Sequence, residues 1–287
     1  MVSQIPRRSR LARMLHSSME AVYLALRSRS KIVHLHDPEL IPYIPLLRFL
    51  GRTVIFDAHE DLPVQVLNKP YLRPAVAEVA AVLARGLVKI AASSHAIICA
   101  TEAIAQRFPP QKTTVVHNYP PLRQAEAAVA SDDINQRAPR LVYVGALSEI
   151  RGALPMIAAM SDPHMPPGWE LTIAGTGRSQ LLDAMRSIDW WSRTEFHGQI
   201  DPERARDLIL SARVGLTLFA DTAAHREALP TKMFEYFAAG VPVVASDFPL
   251  WRTIVEAEGC GLLVDPDSSS QVAQAVRRYA DDPGLLA

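Results

Sequence analysis

Short apolar runs alternate with longer stretches whose apolar positions recur at helical spacing, and this alternation fills nearly the whole chain. In the first half "KIVHLH", "TVIFDAH", "HAIICAT" and "KTTVVHN" predict strands, with helices over 39–49, 71–92 and 101–107 between them. A polar, alanine-rich passage follows, "LRQAEAAVASDDINQRAPR", with little packing pattern and a proline at 139. The alternation then restarts. "RLVYVGA", "WELTIAG", "TEFHG", "VGLTLFA", "VPVVAS" and "GCGLLVD" predict strands, and helices are expected to begin near 151, 178, 202, 231, 249 and 268. Apolar, β-branched strands separated by helices imply a parallel sheet buried on both faces. The fold class is therefore α/β, with two Rossmann-like parallel-sheet domains in tandem facing a cleft. Residues 1–122 are expected to form the first domain, 123–139 a linker and 140–287 the second. In open α/β sheets ligands bind beyond the carboxyl ends of the strands, so those ends are where chemistry is sought.

Composition narrows the classes. The 287 residues are 49% apolar and 21% charged, ample for two cores, and the formal net charge of zero gives the whole chain no attraction for nucleic acid. Cys99 and Cys260 stand far apart without paired spacing, which suits a reducing compartment and argues against disulfides or a cysteine-ligated zinc. No 18-residue apolar run is present, and arginines interrupt the N-terminus too often for a signal peptide, so the expected location is cytoplasmic. Charge is uneven in one place. Residues 1–30 carry six arginines, Arg7, Arg8, Arg10, Arg13, Arg27 and Arg29, against the single acid Glu20. We read this segment as an ordinary sheet-covering helix with snorkelling arginines. Peripheral contact of 7–29 with the inner face of an anionic membrane is the other reading.

The stretch "LPTKMFEYFAAGVPVVAS" concentrates candidate chemistry. At 100° per residue Lys232, Glu235, Tyr236 and Ala239 share one helix face, while Met233, Phe234 and Phe237 share the other. The apolar face is expected to pack down and the ionic pair to look outward, beside a helix N-terminus that favours an anion. After the first strand of the second half, "VGALSEIRGA" offers Gly145 for a tight turn and Arg151 for a phosphate. After the next strand, "AGTGRS" supplies Gly175 and Gly177, through which a backbone can approach a ligand closely. A dinucleotide fingerprint needs a third glycine where Gln180 stands, and Glu195 opens its strand instead of ending one; a dehydrogenase is disfavoured. In the first half "HLHDPE" and "DAHEDLP" close two strands. His34 and His36 share a strand face by period two, and Asp37, Asp57, His59, Glu60 and Asp61 stand nearby in sequence. Such a set can hold a metal. We assign no metal, because no third ligand group of similar quality is visible. Instead His59 and Glu60 are expected to face a substrate, with His34 a satisfied, partly buried imidazole.

Taken together, "HLHDPELIPYIPLLRFLGRTVIFDAHEDLP", "VGALSEIRG", "IAGTG", "FHGQI" and "LPTKMFEYFAAGVPVVASDFP" resemble the nucleotide-sugar-dependent glycosyltransferases of family four, which have the GT-B fold. The resemblance runs from about residue 31 to the end and is densest in the second half. It implies a second domain that binds a nucleoside diphosphate sugar and needs no other cofactor. Glu235 would accept hydrogen bonds from the ribose hydroxyls, Arg151 and Lys232 would neutralise the diphosphate, and the Gly175–Gly177 loop would pass beneath it. Glu227 is matched to the first of the family's paired glutamates, which holds the donor sugar, although Pro230 lies five residues before Glu235 where the family has three. Ala146 replaces an arginine common in relatives. His59 and Glu60 would lie near the donor sugar or the acceptor, a glycan or lipid-linked molecule. The implied reaction is sugar transfer to an acceptor hydroxyl with retention, in polysaccharide or glycoconjugate biosynthesis.

Two other readings stay open: a non-catalytic nucleotide- or partner-binding remnant, and a metal-dependent hydrolase built on His36 and His59. A nonhydrolysing epimerase is a lesser alternative. Family members carry three further N-terminal strands and a C-terminal helix that crosses back to the first domain, so the first domain is expected to be partial and the enzyme incomplete at both ends. Such a chain should expose a strand edge and apolar faces. Low solubility or self-association is the expected outcome, and a monomeric, cooperatively melting 31.6 kDa species in sedimentation and calorimetry would contradict it.

Overall fold

The computed structural model describes residues 16–67, 73–121, 134–189, 191 and 194–286. It divides into two compact units, Met1–Asn118 and Tyr119–Ala287. Residues 123–133 of the expected linker, and residue 122 before it, lie outside the described residues; Ile134, just after them, is already buried in the core of the second unit.

In the first unit β1 (Ile32–Leu35), β2 (Thr53–Ala58), β3 (Ala96–Cys99) and β4 (Thr113–Val115) form a parallel sheet in sequence order. Its helices are α1 (Ser18–Arg27), α2 (Ile44–Phe49), α3 (Leu62–Leu67), α4 (Pro74–Ala91) and α5 (Glu102–Ala105). The short α3 was not anticipated. Val33, Leu35, Val54, Phe56, Ala58, Ile97 and Cys99 turn one sheet face into the core, against Ile41, Ile44 and Leu47. Val22 of α1 joins the same core, as a sheet-covering helix should, while Arg7, Arg8, Arg10 and Arg13 lie outside the described residues. The expectation of two buried faces fails here. β1 alternates exposed and buried positions, and its second face presents His34 to solvent. Burial, with a smaller contribution from Asp57, pushes the Cys99 thiol up to about 11, so it behaves as a small core hydrophobe.

The second unit has both faces covered. β5 (Arg140–Val144), β6 (Glu170–Ala174), β7 (Thr194–Gly198), β8 (Val214–Thr217), β9 (Val243–Ser246) and β10 (Gly261–Val264) form a parallel sheet in the order β10-β9-β8-β5-β6-β7. The helices are α6 (Ala153–Met160), α7 (Ser179–Arg186), α8 (Pro202–Ser211), α9 (Ala223–Arg226), α10 (Thr231–Ala238), α11 (Pro249–Val255) and α12 (Ser269–Asp281). Alternation along β5 sends Leu141 and Tyr143 into a layer with Met156, Ile157, Val272 and Val276, and Val142 into the opposite layer with Met233, Tyr236 and Trp251. α10 stops at Gly240, whose φ of 62° is the left-handed conformation glycine adopts freely. Its N–H bonds to Phe237 O at 3.0 Å and the next N–H, of Val241, to Tyr236 O at 2.9 Å. This Schellman closure turns the chain straight into the Val-Pro-Val-Val strand.

The sheet opens between β5 and β8, where the ladder comprises only Leu141↔Val214 and Val142↔Gly215. Tyr236 fills the gap. Its hydroxyl accepts from Val144 N at 3.1 Å and donates to Val142 O at 3.4 Å. A Tyr236→Phe substitution keeps the ring and strands the Val144 N–H. It should cost about 1–3 kcal/mol, read as a lower urea midpoint with an unchanged m-value.

Candidate functional site

Strand order reverses between β5 and β8: β6 and β7 are laid down on one side of β5, and β8, β9 and β10 on the other. At such a switch point the loops part and leave a crevice at the carboxyl edge. Into this region α10 sends Lys232, which is buried at 7% exposure. The sequence reading placed Lys232 and Glu235 on an outward face, and the structure corrects it. The face shared by Lys232, Tyr236 and Ala239 packs down, because the Tyr236 hydroxyl must reach β5, and Phe234 and Phe237 are the half-buried residues.

The Lys232 Nζ lies 3.5 Å from the centroid of the Tyr143 ring and 5.8 Å from that of Phe219. It has no hydrogen-bond partner among the described residues. Burial first, then the Arg151 charge, holds its ammonium well below the usual lysine range, against the opposing pull of Glu235. Glu235 is half-buried, and desolvation raises its carboxyl while Lys232 and Arg206 act the other way. The two side chains therefore feel each other without forming the expected surface ion pair.

Glycine edges meet the lysine. A Cβ at Gly145 would lie 3.2 Å from Nζ, and one at Gly175 would lie 1.8 Å from the Gly145 carbonyl oxygen, so the loops after β5 and β6 touch backbone to backbone. The contact is tied by Gly145 N to Ala174 O at 2.9 Å and Leu147 N to Thr176 O at 2.8 Å. Gly177 sits against Leu147. Arg151, half-buried at the end of a 3₁₀ turn over Glu149–Arg151, places its guanidinium 5.7 Å from the Phe219 ring. Phe219 is itself fixed by Ser246, whose Oγ accepts from Phe219 N at 2.7 Å and donates to Phe219 O at 2.9 Å. Buried Ser148 Oγ also lacks a hydrogen-bond partner among the described residues. The structure thus gathers Gly145, Gly175, Gly177, Arg151, Lys232 and Glu235 at one edge. Glu227 is exposed at the end of α9. Tyr143, Phe219 and Ser148 were missed: aromatic residues in strand patterns read as core, and a lone serine carries no signal.

In the first unit the parallel register sets Leu35 beside Phe56, so the next residues along the two strands are His36 and Asp57. Asp57 Oδ2 lies 3.1 Å from His36 Nδ1, 3.4 Å from His59 Nε2 and 3.6 Å from His34 Nε2. One correction follows: His34 is exposed, since its strand face is uncovered, and is not the partly buried imidazole expected; the parallel register brings the two strand ends side by side. His59 and Glu60 are both exposed; Glu60 accepts from Gln65 Nε2, and Asp61 from Arg107 Nε at 2.9 Å. With Ile41, Phe56, Leu62, Ile104 and Phe108, this edge encloses a pocket of about 60 Å³.

Two parallel-sheet α/β units in tandem make up the GT-B fold. Residues 138–282 match the family described as glycosyl transferases group 1, and the chain belongs to it. Among solved structures, Anabaena HepE in complex with UDP-glucose is similar at a TM-score of 0.70 and 15% identity, over 99% of this chain and 77% of that one. A sucrose-phosphate synthase from Thermosynechococcus elongatus is similar at a TM-score of 0.72 and 19% identity, over 99% and 73%. A Mycobacterium tuberculosis glycogen synthase is 31% identical over 147 residues, 50% of this chain and 34% of that protein. A Streptomyces coelicolor exopolysaccharide phosphotransferase is 32% identical over 123 residues, 42% of this chain and 12% of that protein. The chain thus spans about a third or less of the length of these curated relatives. Among the described residues no helix is long and apolar enough to cross a membrane.

A buried ammonium without a partner weakens the fold that holds it. Lys232→Met preserves the volume and removes the charge, so it should raise the melting temperature of the second unit by about 2–4 °C, equivalent to about 1 kcal/mol. A fall in melting temperature would show that the lysine is already compensated.

Proposed function

We propose that the second unit holds the nucleoside diphosphate of a sugar donor, and that the whole protein transfers that sugar to an acceptor hydroxyl. One observation carries this reading: the partnerless Lys232 ammonium, buried beside the touching glycine edges at the switch point. A diphosphate matches it in charge and in place. Arg151 supplies the second cation, and backbone at Gly145 and Gly175 approaches with no side chain in the way. Glu235 accepts from the ribose hydroxyls, and Glu227 lies toward the donor sugar. That HepE has been crystallised with UDP, UDP-glucose, and UDP with glucose supports a uridine donor.

In this reading the departing diphosphate is where negative charge develops, so Lys232 and Arg151 stabilise the transition state more than the intact donor. Transfer follows the retaining course of family four, with the leaving phosphate helping to deprotonate the acceptor. His59 and Glu60, at the carboxyl edge of the first unit, serve the donor sugar or a glycan or lipid-linked acceptor. Polysaccharide or glycoconjugate assembly in the cytoplasm is the biological setting, with no cofactor beyond the donor.

Calorimetric titration with UDP, GDP and ADP tests the donor site. UDP should bind selectively, and Glu235→Ala should weaken it by about 1–3 kcal/mol, about 5- to 150-fold. Failure of all three nucleotides to bind a folded chain would leave a remnant that keeps only the architecture. Protonation gives a second readout. Lys232 is depressed in the free chain, and a bound dianion favours its charged form, so its pKa rises on binding. Between the free and bound values the complex takes up a proton, and affinity falls as pH rises through the bound value. Titrations in buffers of different ionisation enthalpy should show that uptake, and Lys232→Met should abolish it.

A further inference from the structure

The first unit carries a cluster of which the proposed function uses only His59. Asp57 Oδ2 is approached by three imidazole nitrogens at 3.1, 3.4 and 3.6 Å, and two of those nitrogens, His36 Nδ1 and His59 Nε2, are 3.4 Å from each other. A carboxylate oxygen offers about two lone-pair sites. Three imidazoles crowd it, so hydrogen bonding alone gives a poor account of the arrangement. The spacing has another reading. Ligands on a tetrahedral zinc at bond lengths near 2.0–2.1 Å sit about 3.3 Å apart. The His36–Asp57–His59 triangle has sides of 3.1, 3.4 and 3.4 Å. His34, His36 and Asp57 likewise bring one donor atom each within 4.8 Å of one another.

We propose that the carboxyl ends of β1 and β2 form a binding site for a divalent transition metal of the zinc type, with His36, Asp57 and His59 as ligands and His34 as the neighbouring fourth donor. The backbone builds this site. Parallel register sets β1 beside β2, and period two puts His34, His36, Asp57 and His59 on the sheet face that the core does not use. Cys99, on β3, points into the core instead, so the donor set is imidazole and carboxylate without thiolate. Such a set selects zinc-like ions over soft copper(I) and over magnesium or calcium. Asp61 is occupied by Arg107 and Glu60 by Gln65, which leaves Asp57 as the carboxylate aimed at the histidines. Three protein ligands leave a coordination position for water or a ligand oxygen, beside the pocket lined by Ile41, Phe56, Leu62, Ile104 and Phe108. The inference is independent of nucleotide binding by the second unit.

The test is zinc binding by the tag-free chain after chelator treatment, measured by calorimetry and by elemental analysis after dialysis. One Zn²⁺ per chain is expected. Each of His36→Ala, Asp57→Asn and His59→Ala should weaken binding at least 10-fold, while His164→Ala, beside Asp162 in the second unit, should not. Circular dichroism establishes that each variant is folded, and tetrahedral Co²⁺ absorption gives a spectroscopic signature of the same ligands. A folded wild-type chain that takes up no Zn²⁺ overturns the proposal. So does stoichiometric binding that all three variants retain.

Discussion

The ammonium of Lys232 over the ring of Tyr143 is the contact around which the second unit is organised. The ring face attracts the cation, a term of about 2 kcal/mol or more when water is excluded. Removing an ammonium from water costs several kcal/mol, so the ring alone leaves a deficit. The surroundings show how the fold lives with it. Gly145 keeps the space beside Nζ clear, Gly175 lets a second loop come into contact with the first, and the nearest carboxylate, Glu235, stands off without a direct bond. An ordinary core would have placed methionine there. A lysine held in that position is a cost that the fold carries.

Much of the architecture can be read directly from the sequence. Most strands fall within a run of apolar and β-branched residues; β7, with Glu195 and His197, is an exception. The short helices Leu62–Leu67 and Ala223–Arg226 escaped notice; too few residues lie in each for periodicity to register. The helical wheel of 231–238 correctly grouped Lys232 with Tyr236 and Ala239 and then turned the wrong face outward. A wheel says which residues travel together, whereas tertiary bonding decides where they go. Here the Tyr236 hydroxyl was needed at the break in the sheet, and it took the lysine inward with it.

The histidines show a different limit. Each strand on its own offers an unremarkable pair of polar residues, and a one-residue change in register would separate them. Only when β1 and β2 are set side by side do four polar side chains fall on one face at one edge. The same sheet explains why that face stays open: one side carries the apolar core, and the other has half-buried positions such as Ile55 and Ile98 among the polar ones. The second unit, covered on both sides, leaves no comparable face, and its polar groups gather instead where the strand order reverses.

The hydroxyl of Tyr236 also has a consequence for how this part of the chain can vary. It anchors one point of the helix to Val142 and Val144, while Lys232 sits four residues earlier, about one turn away. Substitutions between the two leave the turn intact. An inserted or deleted residue does not, because it rotates the lysine by about 100° around the helix axis while the tyrosine stays fixed. The interval Lys232–Tyr236 is therefore a gauge of fixed length, in which the number of residues matters more than their identity.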